Sequence, residues 1–465
     1  MPAGEVRRAV RCLVGLLLVG LLLSVFLAAC ATVPDARERQ ARKEQAGQSA
    51  DSGWSSYERG RDIVARTGQA RPQDFYARHQ AIEAAIGGSP LVGGNDVRLL
   101  ADGPATYRAM LESIGRARHY VHMETYIFDD DEAGQRFADA LIAAQRRGAA
   151  VAVMIDAVGT LQTPDTLFDR MREAGVQVAV FNPVNPAEAR GGWSLNQRNH
   201  RKLLVVDGKV GYLGGINVSS VYSSGSRPAS SGREAQPWRD THIRIEGPAV
   251  AELERVILAG WESQKGPPLA QRDFFPKLAA RGDLDVRILA NQPDRSDGYT
   301  VYLTLMSAFE SAQKSIHITM AYFVPDPAFI EVLQDAARRG VDVVLVLPGF
   351  SDSSLVFHAG RSHYENLLEA GVKIYERRDA LLHAKTAVVD GVWSTVGSSN
   401  MDWRSFALNY EINAVILGPR FGAQMEALFD SDVAAAQQVT LQDWHDRGAS
   451  DRFMEFFSRL FERWL

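Results

Sequence analysis

The sequence predicts an α/β protein made from one unit used twice. Two mixed sheets flanked by helices are expected, related by a pseudo-twofold axis and sharing one site at their interface. Three observations carry this. HRKLLVVD at 200–207 and HAKTAVVD at 383–390 both read H-x-K-x4-D. Each copy runs on into G-(G/S)-x-N, ending at Asn217 and Asn400, 17 residues after its His. The apolar and helical runs ahead of each copy follow one order, and RRG (146–148, 338–340) and EAGV (173–176, 369–372) recur in step with it. A repeat of this length is a whole structural unit, and alternating strand and helix builds layered α/β domains.

Taken in order, the chain opens with Arg7, Arg8 and Arg11 before an apolar run from Cys12 to Ala29 that ends in LAAC, 27–30. A basic start, an apolar core and small residues before a cut site read as a secretory leader over 1–29. LAAC resembles a bacterial lipoprotein box, which implies cleavage before Cys30, lipidation of its sulfur and a catalytic part facing the periplasm. An uncleaved transmembrane anchor is the alternative, since these 18 residues just reach across a bilayer. Cys12 and Cys30 are the only cysteines, so the folded part has no disulfide framework and no Cys-based metal site. Residues 30–90 are polar and read as a tether with N-terminal helices.

The first unit spans 91–265. A helix near 106–116 leads to the strand YVHMETYIF (120–128). GQRFADALIAAQRRG (134–148) has helical spacing and a Gly stop, and AAVAVMID (149–156) is a buried strand. A helix ending at EAGV, the strand VQVAVFNP and the motif strand follow. The second unit, 266–435, repeats this with a helix near 301–312, the strands SIHITMAYF (315–323) and VDVVLVLP (341–348) around FIEVLQDAARRG, then EAGV, VKIYER and the second motif. Residues 436–465 close the chain. There Phe453, Phe456, Phe457, Leu460, Phe461 and Trp464 recur at helical spacing opposite Arg and Glu. Such a helix either docks its aromatic stripe on the protein body or lies in a bilayer interface, although the mixed charge of its polar face weakens the second reading.

The chemistry rests on the motifs. On a strand, residues two apart share a face, so His200 pairs with Lys202 and His383 with Lys385. Two such sets with Asn217 and Asn400 suit a phosphate: ammonium groups and amides hold its oxygens, while imidazoles supply a nucleophile and a proton donor. Asp207 and Asp390 complete the signature and are grouped with the candidate catalytic residues. Their parity and the Gly that follows each also read as a strand-end turn. Asp240 lies seven residues before Gly247-Pro248, and Glu411 seven before Gly418-Pro419. A carboxylate at this repeated place holds an imidazole in one tautomer and stabilises its cation. Which His each serves stays open. His122 and His317, inside apolar strands, read as packed and hydrogen-bonded. Asp129, Asp130 and Asp131 read as a solvated turn capping a helix. Between Asn217 and Asp240 the first unit carries about a dozen extra residues rich in Ser and Gly, within 218–238, either a cover or a tolerated insertion.

With these stretches in view, the chain resembles the phospholipase D superfamily. Within it the chain is most similar to the bacterial cardiolipin synthases, on ETYIF (124–128), HRKLLVVDGKVGYLGGIN (200–217), RIEGPAV (244–250), AYFVPD (321–326) and LLHAKTAVVDG (381–391). The resemblance covers roughly 90–435. It implies two tandem domains of that superfamily and phosphatidyl transfer from phosphatidylglycerol to a second phospholipid through a phosphohistidine, with His200 as nucleophile and His383 as acid/base. It implies that Asp240 and Glu411 support the imidazoles and that Glu124, Tyr126, Tyr322 and Phe323 line the cleft, with Glu124 and Tyr322 as candidate substrate contacts. Membrane phospholipids are then the partners, no metal or other cofactor is required, and a monomer completes the site. The net charge of −5 lacks the basic footprint that nucleic acids demand. Hydrolysis of a phosphodiester, or lipid binding without catalysis, are the alternatives.

Overall fold

The computed structural model describes residues 89–185, 194–224, 237–293 and 299–462. The N-terminal segment with Cys30, most of the 218–238 loop, and Trp464 lie outside the described residues.

The first half contains β1 (Leu91–Leu100), α1 (Gly103–Arg116), β2 (Tyr120–Thr125), α2 (Glu132–Arg146), β3 (Ala150–Asp156), α3 (Asp165–Glu173) and β4 (Gln177–Phe181). After these come β5 (Leu203–Val206), β6 (Val210–Gly214), β7 (Trp238–Arg239), β8 (His242–Glu246) and α4 (Val250–Ser263). The second half runs β9 (Leu284–Asn291), α5 (Thr300–Ser311), β10 (Ser315–Met320), β11 (Phe323–Val324), α6 (Pro327–Arg338), β12 (Asp342–Pro348), α7 (Ser354–Arg361) and α8 (Tyr364–Glu369). It continues through β13 (Lys373–Arg377), β14 (Leu381–Leu382), β15 (Lys385–Val389), β16 (Trp393–Gly397), β17 (Met401–Asp402), α9 (Trp403–Ala407), β18 (Glu411–Leu417) and α10 (Pro419–Ala434). β19 (Ala436–Val439), α11 (Leu441–His445) and α12 (Ala449–Arg459) close the described chain.

The helix starts have identifiable caps. Asp102, Asp131 and Asp326 each accept a backbone N–H from the first turn of α1, α2 and α6. Asp131, in the acidic run 129–131, is therefore a helix cap, as its composition suggests.

In the first half the strand order is β1-β8-β6-β5-β2-β3-β4, and in the second β9-β18-β16-β15-β10-β12-β13, with β19 added at that edge. β2, β3 and β4 are parallel, as are β10, β12 and β13, while the remaining neighbours in each half are antiparallel. The sequence leads one to expect two sheets. Instead β1 pairs antiparallel with β9, and the halves share one sheet of 15 strands. Antiparallel pairing of equivalent strands produces a local twofold.

Each half keeps its own core on one face, around Phe137, Leu141 and Phe168 in the first and Phe309, Phe329 and Trp393 in the second. A third core belongs to both. Ile243, Ile245, Leu253, Val286, Ile412 and Phe421 meet beneath the junction, covered by α4 and α10. Burying apolar surface from both halves in one cluster holds them in fixed relation.

Candidate active site

The motif histidines enter the site by a reciprocal exchange. The chain ahead of His383 forms β14, which pairs in parallel with β7 of the first half, Leu382 opposite Arg239. The chain ahead of His200 makes the equivalent parallel bridge, Asn199 opposite Tyr410 of the second half. Consequently the His383 N–H donates to the Arg239 carbonyl (2.7 Å) and the His200 N–H to the Tyr410 carbonyl (2.9 Å). Arg239 and Tyr410 are the residues just before Asp240 and Glu411.

This crossing decides the pairing that the sequence leaves open. Nδ1 of His383 lies 2.6 Å from Oδ2 of Asp240, and Nδ1 of His200 lies 3.0 Å from Oε1 of Glu411. Each imidazole is thus held by the acid of the other half. With Nδ1 donating to a carboxylate, Nε2 is the nitrogen left for chemistry. Lys202 Nζ donates to the carbonyl of His200 (2.6 Å), and Lys385 Nζ to that of His383. The two sets feel one another, each ammonium lowering the pKa of the histidine in the other half.

Burial dominates the electrostatics. It pushes the pKa of both imidazoles down, assisted by the lysines and opposed by the carboxylates. It brings Lys202 down to about 7 against the pull of Glu411, and Lys385 to about 8 against that of Asp240. Burial would raise both acids. Yet Lys385 and His383 hold Asp240, and His200 and Lys202 hold Glu411, below the ordinary carboxylate range. With both lysines protonated, two ammonium groups and two carboxylates cancel, and the site is then neutral when its imidazoles are neutral.

The surroundings differ between the histidines. Tyr126 stands edge-on to His200 with centroids 5.1 Å apart, and its ring also faces Lys202. His383 lies among first-half aromatics: Trp238 at 5.0 Å between centroids, and Tyr222, whose hydroxyl is 3.3 Å from Nδ1. Ser398 donates to Oε2 of Glu411 (2.5 Å), while Asp240 accepts the backbone N–H of Thr241 (2.7 Å). Ser398 is the variable position of G-(G/S)-x-N and was legible there. Tyr222 lies in the segment that the second half lacks, so no repeat signal points to it.

Several expectations need correction. Asp207 and Asp390, grouped by the signature with the catalytic set, are tied to main chain instead. Asp207 accepts the N–H groups of Arg118, His119 and Tyr120 (2.7–2.9 Å), and Asp390 those of Gln313, Lys314 and Ser315. Both have positive φ (+52° and +54°) and sit at the end of the motif strand opposite the histidine. They are turn residues that anchor the loop entering β2 and β10. Glu124 does not line a cleft. It is fully buried, 3.7 Å from Nη1 of Arg201 and 3.2 Å from Nδ2 of Asn199, and so braces the motif from behind. Tyr322 is half-buried at the edge of a cavity, its hydroxyl donating to Asp352 (2.6 Å). Asn217 is committed to positioning, accepting the Ile127 N–H and donating to Tyr222 (both 3.1 Å), whereas Oδ1 of Asn400 is buried with no partner among the described residues. His122 and His317 are structural, as their apolar strands suggest, bound to Glu254 (2.7 Å) and Glu426 (2.5 Å).

Comparison with known proteins places this geometry. The family described as cardiolipin synthase, PLD-like domain, matches residues 110–224 and 305–433, one match in each half. A cardiolipin synthase of Geobacillus sp. (strain WCH70) is 36% identical over 377 residues, which is 81% of this chain and 73% of that protein. Cardiolipin synthase 1 of Bacillus anthracis is 34% identical over 386 residues, 81% of this chain and 74% of that protein. Among solved structures, phosphatidylserine synthase from Haemophilus influenzae Rd KW20 shares the fold, with a TM-score of 0.64 at 14% identity over 83% of this chain and 100% of that one. Matched in both halves and by relatives along four-fifths of its length, the chain belongs to the phospholipase D superfamily, among the phosphatidyltransferases of the cardiolipin synthase family.

Proposed function

We propose that the chain moves the phosphatidyl group of one phosphatidylglycerol onto a hydroxyl of a second, releasing glycerol and forming cardiolipin. The observation that carries this reading is the charge balance of the crossed site. With both lysines protonated, Lys202, Lys385, Asp240 and Glu411 sum to zero, so a bound phosphodiester monoanion brings one uncompensated negative charge. A single proton on one imidazole restores neutrality. The substrate therefore selects the state the chemistry requires, with one histidine cationic and one neutral.

Neutral His200 attacks phosphorus through Nε2, forming a P–N bond, and Glu411 stabilises the positive charge that develops on the ring. The bond to the glycerol oxygen breaks, and His383 gives its proton to that oxygen. In the second displacement His383 takes the proton of the incoming hydroxyl, whose oxygen attacks phosphorus as the P–N bond breaks. Asp240, 2.6 Å away, opposes the burial and the Lys385 charge that push His383 down. A bound phosphate anion adds to that opposition, which supports His383 as acid and base once substrate is present. The two ammonium groups hold the phosphoryl oxygens. The Geobacillus and Bacillus relatives, named as cardiolipin synthases, support cardiolipin as the product.

Purified full-length protein incubated with phosphatidylglycerol decides the matter. Cardiolipin and glycerol in equal amounts are expected. Phosphatidic acid would show that water is the acceptor, and no turnover would leave only lipid binding.

A further inference from the structure

α12 decides between the two orientations that its sequence leaves open. Its aromatic stripe does not dock on the protein: Phe453, Phe456 and Leu460 are 64%, 66% and 62% exposed, and Phe457 is exposed beside them. The polar face turns inward instead. Glu455 is buried, with Nε of Arg447 at 2.9 Å and Nε of Arg361 at 3.6 Å, and Glu462 approaches His363 (3.4 Å). The mixed charge read from sequence is thereby sorted. Asp451, Glu455 and Glu462 are partly or wholly covered, while the charged side chains that stay exposed on the helix are Arg452 and Arg459.

The position of this face is as telling as its composition. α12 packs along α7, which follows the C-terminal end of β12. Asp352, just ahead of α7, accepts the Tyr322 hydroxyl. The equivalent strand of the first half, β3, ends at Asp156, which accepts the N–H of Asn199 beside His200 (2.8 Å). Both lie at the end of the sheet where the histidines enter. Around that end of the first half stand Val158 and Leu161 after β3, Val184 after β4, and Leu195 ahead of His200, all exposed. Of nine exposed large hydrophobic side chains among the described residues, eight lie on α12 or this rim, with Phe275 the exception. Scattered exposure needs no explanation, but concentration at one end of the sheet does.

We infer that α12, with the apolar rim, seats the enzyme on a bilayer containing anionic phospholipid, so that the active-site mouth opens onto headgroups. Apolar side chains flanked by exposed arginines, with the acids withdrawn, are the composition that partitions into an anionic interface. A second copy of this chain would present the same arginines to like charges. The inference rests on the phospholipid substrate proposed above.

Hydrogen exchange of residues 449–462 in the full chain, with and without vesicles, tests it. Exchange in α12 should slow with vesicles of phosphatidylglycerol and phosphatidylcholine. The triple variant F453E/F456E/L460E should lose that protection. Its transfer on vesicles should fall about tenfold or more, because each buried aromatic contributes substantially to partitioning. Activity on a dispersed short-chain phosphatidylglycerol should stay unchanged, which also shows the variant to be folded. No protection by vesicles, or an equal loss on both substrates, overturns the inference. So does protection that follows protein concentration without lipid, alongside a dimer in sedimentation. Protected α12 in a chain that makes no cardiolipin would sink the proposed reaction and leave the docking surface standing.

Discussion

Each half supplies a histidine, a lysine, an asparagine and a carboxylate, yet the two do not surround their histidines alike. His383 is gripped by Asp240 at 2.6 Å among Trp238 and Tyr222, whereas His200 meets Glu411 at 3.0 Å, and Glu411 divides itself with Ser398. The equivalent of Ser398 is Gly215, where a Cβ would lie 2.2 Å from Oδ1 of Asp240. A short acid thus needs Gly opposite it, and a longer one tolerates Ser and uses it as a donor. A duplicated site starts symmetric, and these neighbours give the two imidazoles different work.

The largest effects come from deleting an imidazole. His200→Ala and His383→Ala should each lower transfer by about ten-thousand-fold with the fold intact, as losses within a cooperating set do. A phosphodiester with a p-nitrophenol leaving group breaks the tie, because it needs no acid. His383→Ala should then still accumulate acid-labile phosphohistidine, seen by mass spectrometry, and His200→Ala should not. The opposite result would exchange the two roles.

Next come the acids. Asp240→Asn should cost about a thousand-fold in kcat, by losing the tautomer and the imidazolium partner, and Glu411→Gln about a hundred-fold. Equal losses would show that the difference in hydrogen-bond distance is without consequence. Making the halves alike is milder. Gly215→Ser should push Asp240 aside and lower kcat about tenfold to a hundred-fold. Ser398→Gly should lower it about tenfold, through one hydrogen bond to a charged acceptor.

The smallest effect is on folding stability, through Lys202. Lys202 has a folded pKa of about 7, below its unfolded value near 10.4. The folded state therefore binds fewer protons between those values. The cost of the buried charge is full below pH 7 and fades as pH rises towards the unfolded value. By this linkage Lys202→Met should raise stability by roughly 1–3 kcal/mol at pH 6, with less gain at pH 9, in denaturant titrations. By the same shift, inorganic phosphate should bind wild type more weakly as pH rises through 7 and 8.

Much of this was legible in the chain. Repeated spacing marks His200, Lys202, His383 and Lys385, and the recurrence of Asp240 and Glu411 ahead of Gly-Pro finds both acids. The crossing was not legible, because equal placement of two acids fits pairing within a half as well as between halves. The parallel pairing of β7 with β14 and the bridge between Asn199 and Tyr410 distinguish them. Glu124 shows another limit. A strand-end acid reads as a cleft residue until Arg201, 77 positions on, is found beside it. For α12, helical spacing separates an apolar from a charged face but does not say which one meets the protein. Arg361, far back in the chain, and Arg447, just ahead of the helix, settle that.

The exchange of carboxylates carries an evolutionary consequence. A substitution at Asp240 is felt first by a histidine encoded 143 positions later, and one at Glu411 by a histidine 211 positions earlier. Neither copy can drift on its own, nor can either be transplanted beside an unrelated partner and keep its chemistry. Selection sees a pair of interlocked genes written as one.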